Sequence, residues 1–82
     1  HPSTGTSYNN IGLVYEHQGE YEKALEEFLR AYHIFSTQLR KNHPHTQLVY
    51  KNMADAYAKS GNQADFSVWL EQALGEKTGS PE

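Results

Sequence analysis

Large side chains at Tyr8, Ile11 and Tyr15, with Gly12 between them, recur at the three- and four-residue steps that put residues on one face of a helix. This first helix is expected to start at Pro2, which suits a first turn because its missing N–H is not needed there, and to stop near Gly19, a C-terminal cap. A longer helical stretch runs from Glu20 to Leu39. Its apolar set is Tyr21, Ala24, Leu25, Phe28, Ala31, Tyr32, Phe35 and Leu39, and Glu26 and Arg30 can pair one turn apart on the opposite face. His43-Pro44 ends it, because a residue before proline is pushed out of the helical region. A third helix carries Tyr50, Met53, Ala54 and Tyr57 and closes at Ser60-Gly61-Asn62. The fourth, from about Gln63 to Leu74, aligns Phe66, Trp69, Leu70, Ala73 and Leu74. Gly75 to Glu82 has two glycines, a proline and no large apolar residue, so residues 76–82 are expected to be a disordered tail.

The helical pattern is used twice. Tyr8, Asn10, Tyr15 and Gly19 return as Tyr50, Asn52, Tyr57 and Gly61, each 42 residues on, and His1-Pro2 returns as His43-Pro44 at the same spacing. A fixed offset of this kind marks one structural unit repeated. The units are expected at 1–42 and 43–75. Because the chain opens on the His-Pro pair that closes a unit, it is expected to be a piece of a longer protein, with any targeting signal outside it.

At 82 residues the chain is one small all-α domain of four helices, whose stability is expected to be marginal. With no cysteine there is no disulfide, thiol nucleophile or thiolate metal site, which suits a reducing, cytoplasmic setting. The net charge of −3 argues against nucleic acid and anionic lipid as partners. No apolar run approaches the roughly 20 residues that span a bilayer, so no membrane association is expected.

The order of residue types resembles the tetratricopeptide repeat family. Its helix-turn-helix signature asks for an aromatic, a bulky aliphatic followed by a small residue, an aromatic, an alanine, an aromatic and another alanine. Here Tyr8, Ile11, Gly12, Tyr15, Ala24, Phe28 and Ala31 supply all of them, and Tyr50, Met53, Ala54, Tyr57, Leu70 and Ala73 repeat the set. The exception is Phe66, which stands where an alanine is expected and implies a wider or shifted helix contact, as in an end unit. The 42-residue period resembles the variant found in kinesin light chains, the usual repeat being about 34 residues and the excess roughly two further helical turns. Arg40-Lys41-Asn42-His43-Pro44 keeps the ending of that variant's linker but lacks its Gly-Pro.

The resemblance implies two stacked antiparallel helical hairpins, with the first helix of each lining a concave face. Thr6, Asn9, Asn10, Leu13, Glu16 and His17 would line it from the first helix, and Leu48, Lys51, Asn52, Asp55 and Lys59 from the third. Such domains bind protein or peptide. Asn10 and Asn52 can each donate to and accept from an extended peptide backbone, and Leu13 and Leu48 would add apolar contact. Lys51 beside Asn52 begins the lysine and asparagine set that clamps a terminal carboxylate in some relatives; Asn9 stands where a further lysine is wanted, and Asp55 opposes the charge.

Other chemistry finds little support. His43 and His45 lack an evident third metal ligand and suit the start of a helix, and Glu22, Glu26 and Glu27 lie on a solvated face rather than in a pocket that would tune an acid or base. No metal, cofactor or enzymatic activity is expected. A second reading of the chain is self-association: two units are fewer than such arrays normally need, and Phe66, Trp69 and Leu74 offer more apolar surface than one preceding helix can hide.

Overall fold

The computed structural model describes residues 2–40 and 42–77. They form four helices in chain order: α1 (Pro2–His17), α2 (Tyr21–Gln38), α3 (Pro44–Lys59) and α4 (Phe66–Lys77). Among the described residues there is no strand. α2 is the central element. Ala24, Leu25, Phe28, Leu29, Ala31, Tyr32 and Phe35 are all buried on it, a belt too wide for one neighbour to cover. α1 packs along one side of that belt and α3 along the other.

The α1–α2 contact is close because α1 is small where the rings of α2 arrive. A Cβ placed on Gly12 would stand 2.7 Å from the Phe28 ring, and one on Gly5 would stand 2.9 Å from Phe35. Both distances are below what carbon atoms tolerate without movement, so the glycines are what lets the two backbones approach. Gly19 then ends the hairpin's first arm at φ 80°, a left-handed conformation that costs glycine little. Its amide donates to Glu16 and that of Glu20 to Tyr15, which closes the last turn. Gly61 repeats this conformation at φ 82° after α3.

The second hairpin is splayed. α3 and α4 hardly approach at the backbone, and aromatic rings fill the space between them. Phe66 lies 5.4 Å from both Tyr50 and Tyr57 and 5.8 Å from Trp69, measured between ring centres. At the equivalent place in the first hairpin stands fully buried Ala24. A phenyl ring in place of a methyl group holds the helices apart by its own thickness. The loop between them is tied by Tyr57, whose hydroxyl donates to the carbonyl of Ala64 at 2.8 Å.

Several expectations are corrected. α4 starts at Phe66, three residues after the expected Gln63, because Asp65 caps it: a carboxylate oxygen of Asp65 accepts from the Ser67 N–H at 3.2 Å and its carbonyl from Trp69. The helix also continues through Gly75 to Lys77, into the stretch read as tail; residues 78–82 lie outside the described residues. Arg30 pairs with Glu27 at 3.0 Å, not with Glu26. Ile11 is not on the buried face of α1 but 44% exposed.

Candidate functional site

α1 and α3 lie side by side across α2, and two polar bridges join them. The Asn52 side-chain amide donates to the Asn9 side-chain oxygen at 3.2 Å, and Lys59 Nζ meets a Glu16 carboxylate oxygen at 3.1 Å. Each bridge spans 43 residues. Asn9 and Glu16 are seven residues apart, as are Asn52 and Lys59, which is two helical turns or about 10 Å along each axis. The bridges therefore act as two rungs that hold the helices in one register, with a shallow trough running over them.

One end of the trough deepens into a cavity of about 180 Å³ lined by Thr6, Asn9, Asn10, Phe35, His45, Leu48 and Val49. That is smaller than the roughly 300–1,000 Å³ of a drug-sized ligand pocket and suits one or two side chains of a longer partner. Leu48 is 49% exposed at its rim. The floor is rigid, since Val49 and Phe35 belong to the buried core. His45 is fixed from two sides: its ring lies 5.6 Å from Phe35, and its backbone N–H donates to His43 Nδ1 at 3.1 Å. That second bond is the N-cap of α3, with Pro44 next at the first helical position.

The expected groove residues divide into three groups. Asn9, Asn10 and Leu48 meet in the cavity, and Asn52 adjoins it through its bond to Asn9. Leu13 is half-buried against the core, and His17, Lys51 and Asp55 are exposed. Asn9 itself is buried rather than presented to solvent, because its carbonyl is committed to Asn52. Phe35 and His45 line the cavity although sequence placed one in the core and the other at a helix start; His45 precedes Leu48 by three residues, one helical turn, which is the signal that joins them.

Charge is balanced locally. The ammonium of Lys59 is held above its ordinary pKa, first by the hydrogen bond to Glu16 and then by that carboxylate's charge, with Asp55 adding to it. Lys51 carries the remaining described positive charge expected for this face. Among the described residues no group of three or more His, Cys, Asp or Glu gathers in metal-binding geometry, and no helix is long and apolar enough to cross a membrane. On α4, Phe66, Trp69 and Leu74 turn toward the core and are half-buried, while Val68 is 50% exposed on the outer side.

Comparison with curated proteins and with solved structures yields no match. The family model for the tetratricopeptide repeat matches residues 3–75, which takes in all four helices but for Pro2 of α1 and the last two residues of α4. The 42-residue echo, the glycine-for-ring packing of α1 on α2 and this match agree: the chain belongs to the tetratricopeptide repeat family.

Proposed function

We propose that the chain is a non-catalytic protein-interaction module that holds an extended peptide, or one edge of a partner helix, in the trough between α1 and α3. Repeats of this family act in general as protein- and peptide-binding scaffolds. The observation that carries the reading is the juxtaposition of an exposed leucine, Leu48, an exposed amide, Asn10, and the fixed Asn9–Asn52 pair around one small cavity. The bond to Asn9 uses a donor of Asn52 and leaves its side-chain oxygen for a partner N–H. Asn10 offers both donor and acceptor. An apolar side chain would enter beside Leu48, while the amides bind main chain, so the selection would be for shape and one apolar residue rather than for charge. Glu16–Lys59 neutralises the far end, and Lys51 is balanced by Asp55, which favours neither acidic peptides nor nucleic acid.

Repeat length adds a finer assignment. Units of 1–42 and 43–75 with an extended second helix support a scaffold of the kinesin-light-chain kind acting in the cytoplasm, where a chain without cysteine needs no oxidising environment.

The test is selection of a random peptide display library on the purified chain. Enriched peptides should carry an apolar residue and should lose binding to Asn10→Ala and to Leu48→Glu, while Val68→Glu on the far side of α4 binds as the parent does. Failure to enrich, or enrichment indifferent to both trough variants, would refute the assignment.

A further inference from the structure

Between α2 and α4, and sharing no residue with the trough, lies a cavity of about 420 Å³, a volume within the range of ligand pockets. α4 comes near α2 at few points, which leaves the space between them open. Leu25, Leu29 and Ala73 give it an apolar wall, and Trp69 lines it beside them. The indole is a fixed platform: it stacks on Phe66 at 22° with ring centres 5.8 Å apart, and the Tyr57 ring lies 5.2 Å away. The remaining lining is polar, from the exposed side chains of Glu22, Glu26 and Asn62.

Neither of these carboxylates is paired with a cation among the described residues. Spacing alone would give Glu26 to Arg30, one turn on. Arg30 instead bonds Glu27 at 3.0 Å and lies over the Tyr8 ring, while Lys23 lies over Tyr15, 5.8 Å from the ring centre. Glu22 stands in the first turn of α2, where the helix dipole favours an acid. Glu26 has no such support, and it sits four residues from Glu22, a spacing at which like charges repel. Asn62 donates its amide N–H to Ser60 Oγ at 2.8 Å, so its side-chain oxygen remains an acceptor. The cavity therefore joins unneutralised negative charge, a rigid aromatic surface and an apolar wall.

From this combination we infer that the cavity between α2 and α4 is a docking site for an arginine side chain of a partner protein. The methylene stem lies along Leu25, Leu29 and Ala73, as long cationic side chains do on apolar surface. The guanidinium stacks on the Trp69 indole and donates to Glu22, Glu26 and the Asn62 oxygen. Arginine fits better than lysine because its planar fork of donors can span two carboxylates while its face rests on a ring; an ammonium is a point charge with no face to stack. This goes beyond peptide capture in the trough and does not depend on it, since charge decides here and shape decides there.

The test titrates the isotope-labelled 82-residue chain with a capped Gly-Ser-Arg-Ser-Gly peptide and with its citrulline and lysine counterparts. Citrulline keeps the outline of arginine without its charge. Trp69 is the one tryptophan of the chain, so its indole N–H resonance reports on this cavity without ambiguity. The arginine peptide should move that resonance together with the amides of Glu22 and Glu26. Affinity should fall about tenfold with citrulline, and about tenfold in the Glu22→Gln, Glu26→Gln double variant, with lysine between arginine and citrulline. Both glutamates are exposed, so the double variant should keep the parent's urea midpoint. Glu71→Gln, at an exposed carboxylate of α4 outside the cavity, should bind as the parent does. An unmoved indole, citrulline or lysine binding as tightly as arginine, or a loss in Glu71→Gln as large as in the double variant overturns the inference.

Discussion

Gly12 and Gly75 both sit inside helices and should respond to alanine with opposite signs. In an open helix the exchange is worth up to about 1 kcal/mol of stability, and a Cβ on Gly75 meets nothing within 4 Å, so Gly75→Ala should raise the urea midpoint. At Gly12 the same methyl would press on the ring of Phe28, which is fully buried and has no room to retreat. Overpacking of that kind costs about 1–3 kcal/mol, which outweighs the helical gain. Gly12→Ala should therefore lower the midpoint; equal responses at the two sites would contradict the packing described. Tyr32 makes a second residue-scale prediction. Burial, and then the neighbouring Tyr50 phenol, hold its hydroxyl above the usual value of 10.0. A raised folded-state pKa means the folded chain keeps this proton when the unfolded chain has lost it, so the contribution is intact below about pH 10 and is lost as pH rises beyond it. In urea titrations above that pH, Tyr32→Phe should lose stability less steeply than the parent. Parallel curves would show that Tyr32 is not the group involved.

At the scale of elements, sequence revealed the helices better than their ends. Spacing of Tyr8, Gly12, Ala24 and Phe28 was enough to anticipate α1 and α2, because close packing leaves few residue choices at a crossing. Phe66 pointed to a wider contact for the same reason, and the splayed α3–α4 pair is the result. What the hydrophobic stripe could not give was the start of α4, set by the cap at Asp65, or its extension through Gly75, where backbone hydrogen bonding continues without apolar support. Asn9 was misplaced too, since a polar residue read singly looks solvated and only the partner helix reveals that Asn52 covers it. The open second hairpin carries a dynamic consequence. α4 is held by the rings of Phe66 and Trp69 and by Leu70, Ala73 and Leu74 on one side only, so in hydrogen exchange its amides should exchange before those of α2, which is packed on both sides. Phe66→Ala should widen that difference, having removed the ring that Tyr50, Tyr57 and Trp69 share; α4 exchanging as slowly as α2 would count against a loosely held end.

For the molecule as a whole, the question is what fixes the two units relative to each other. The apolar seat of α3 on α2 supplies most of the contact, and the two rungs between α1 and α3 set its register. They are unequal. The Glu16–Lys59 pair has its ammonium open to water and gains little, so Glu16→Gln, which keeps a side-chain oxygen to accept from Lys59, should leave the unfolding midpoint almost unchanged. Asn52→Ala strands the Asn9 oxygen in a residue only 7% exposed, at a cost of about 1–3 kcal/mol. Should the two variants prove equal by urea unfolding, the rungs would not have the roles assigned to them. The same rigid register is what gives the trough a defined shape for a partner. The most direct test of that claim is a chemical-shift map recorded while the isotope-labelled chain is titrated with a peptide selected on it. Binding in the trough predicts the largest shifts at Asn9, Asn10, Leu48 and Asn52, with Val68 and Gln72 unmoved; shifts centred on α4, or on Ile11 and Val14, would contradict it.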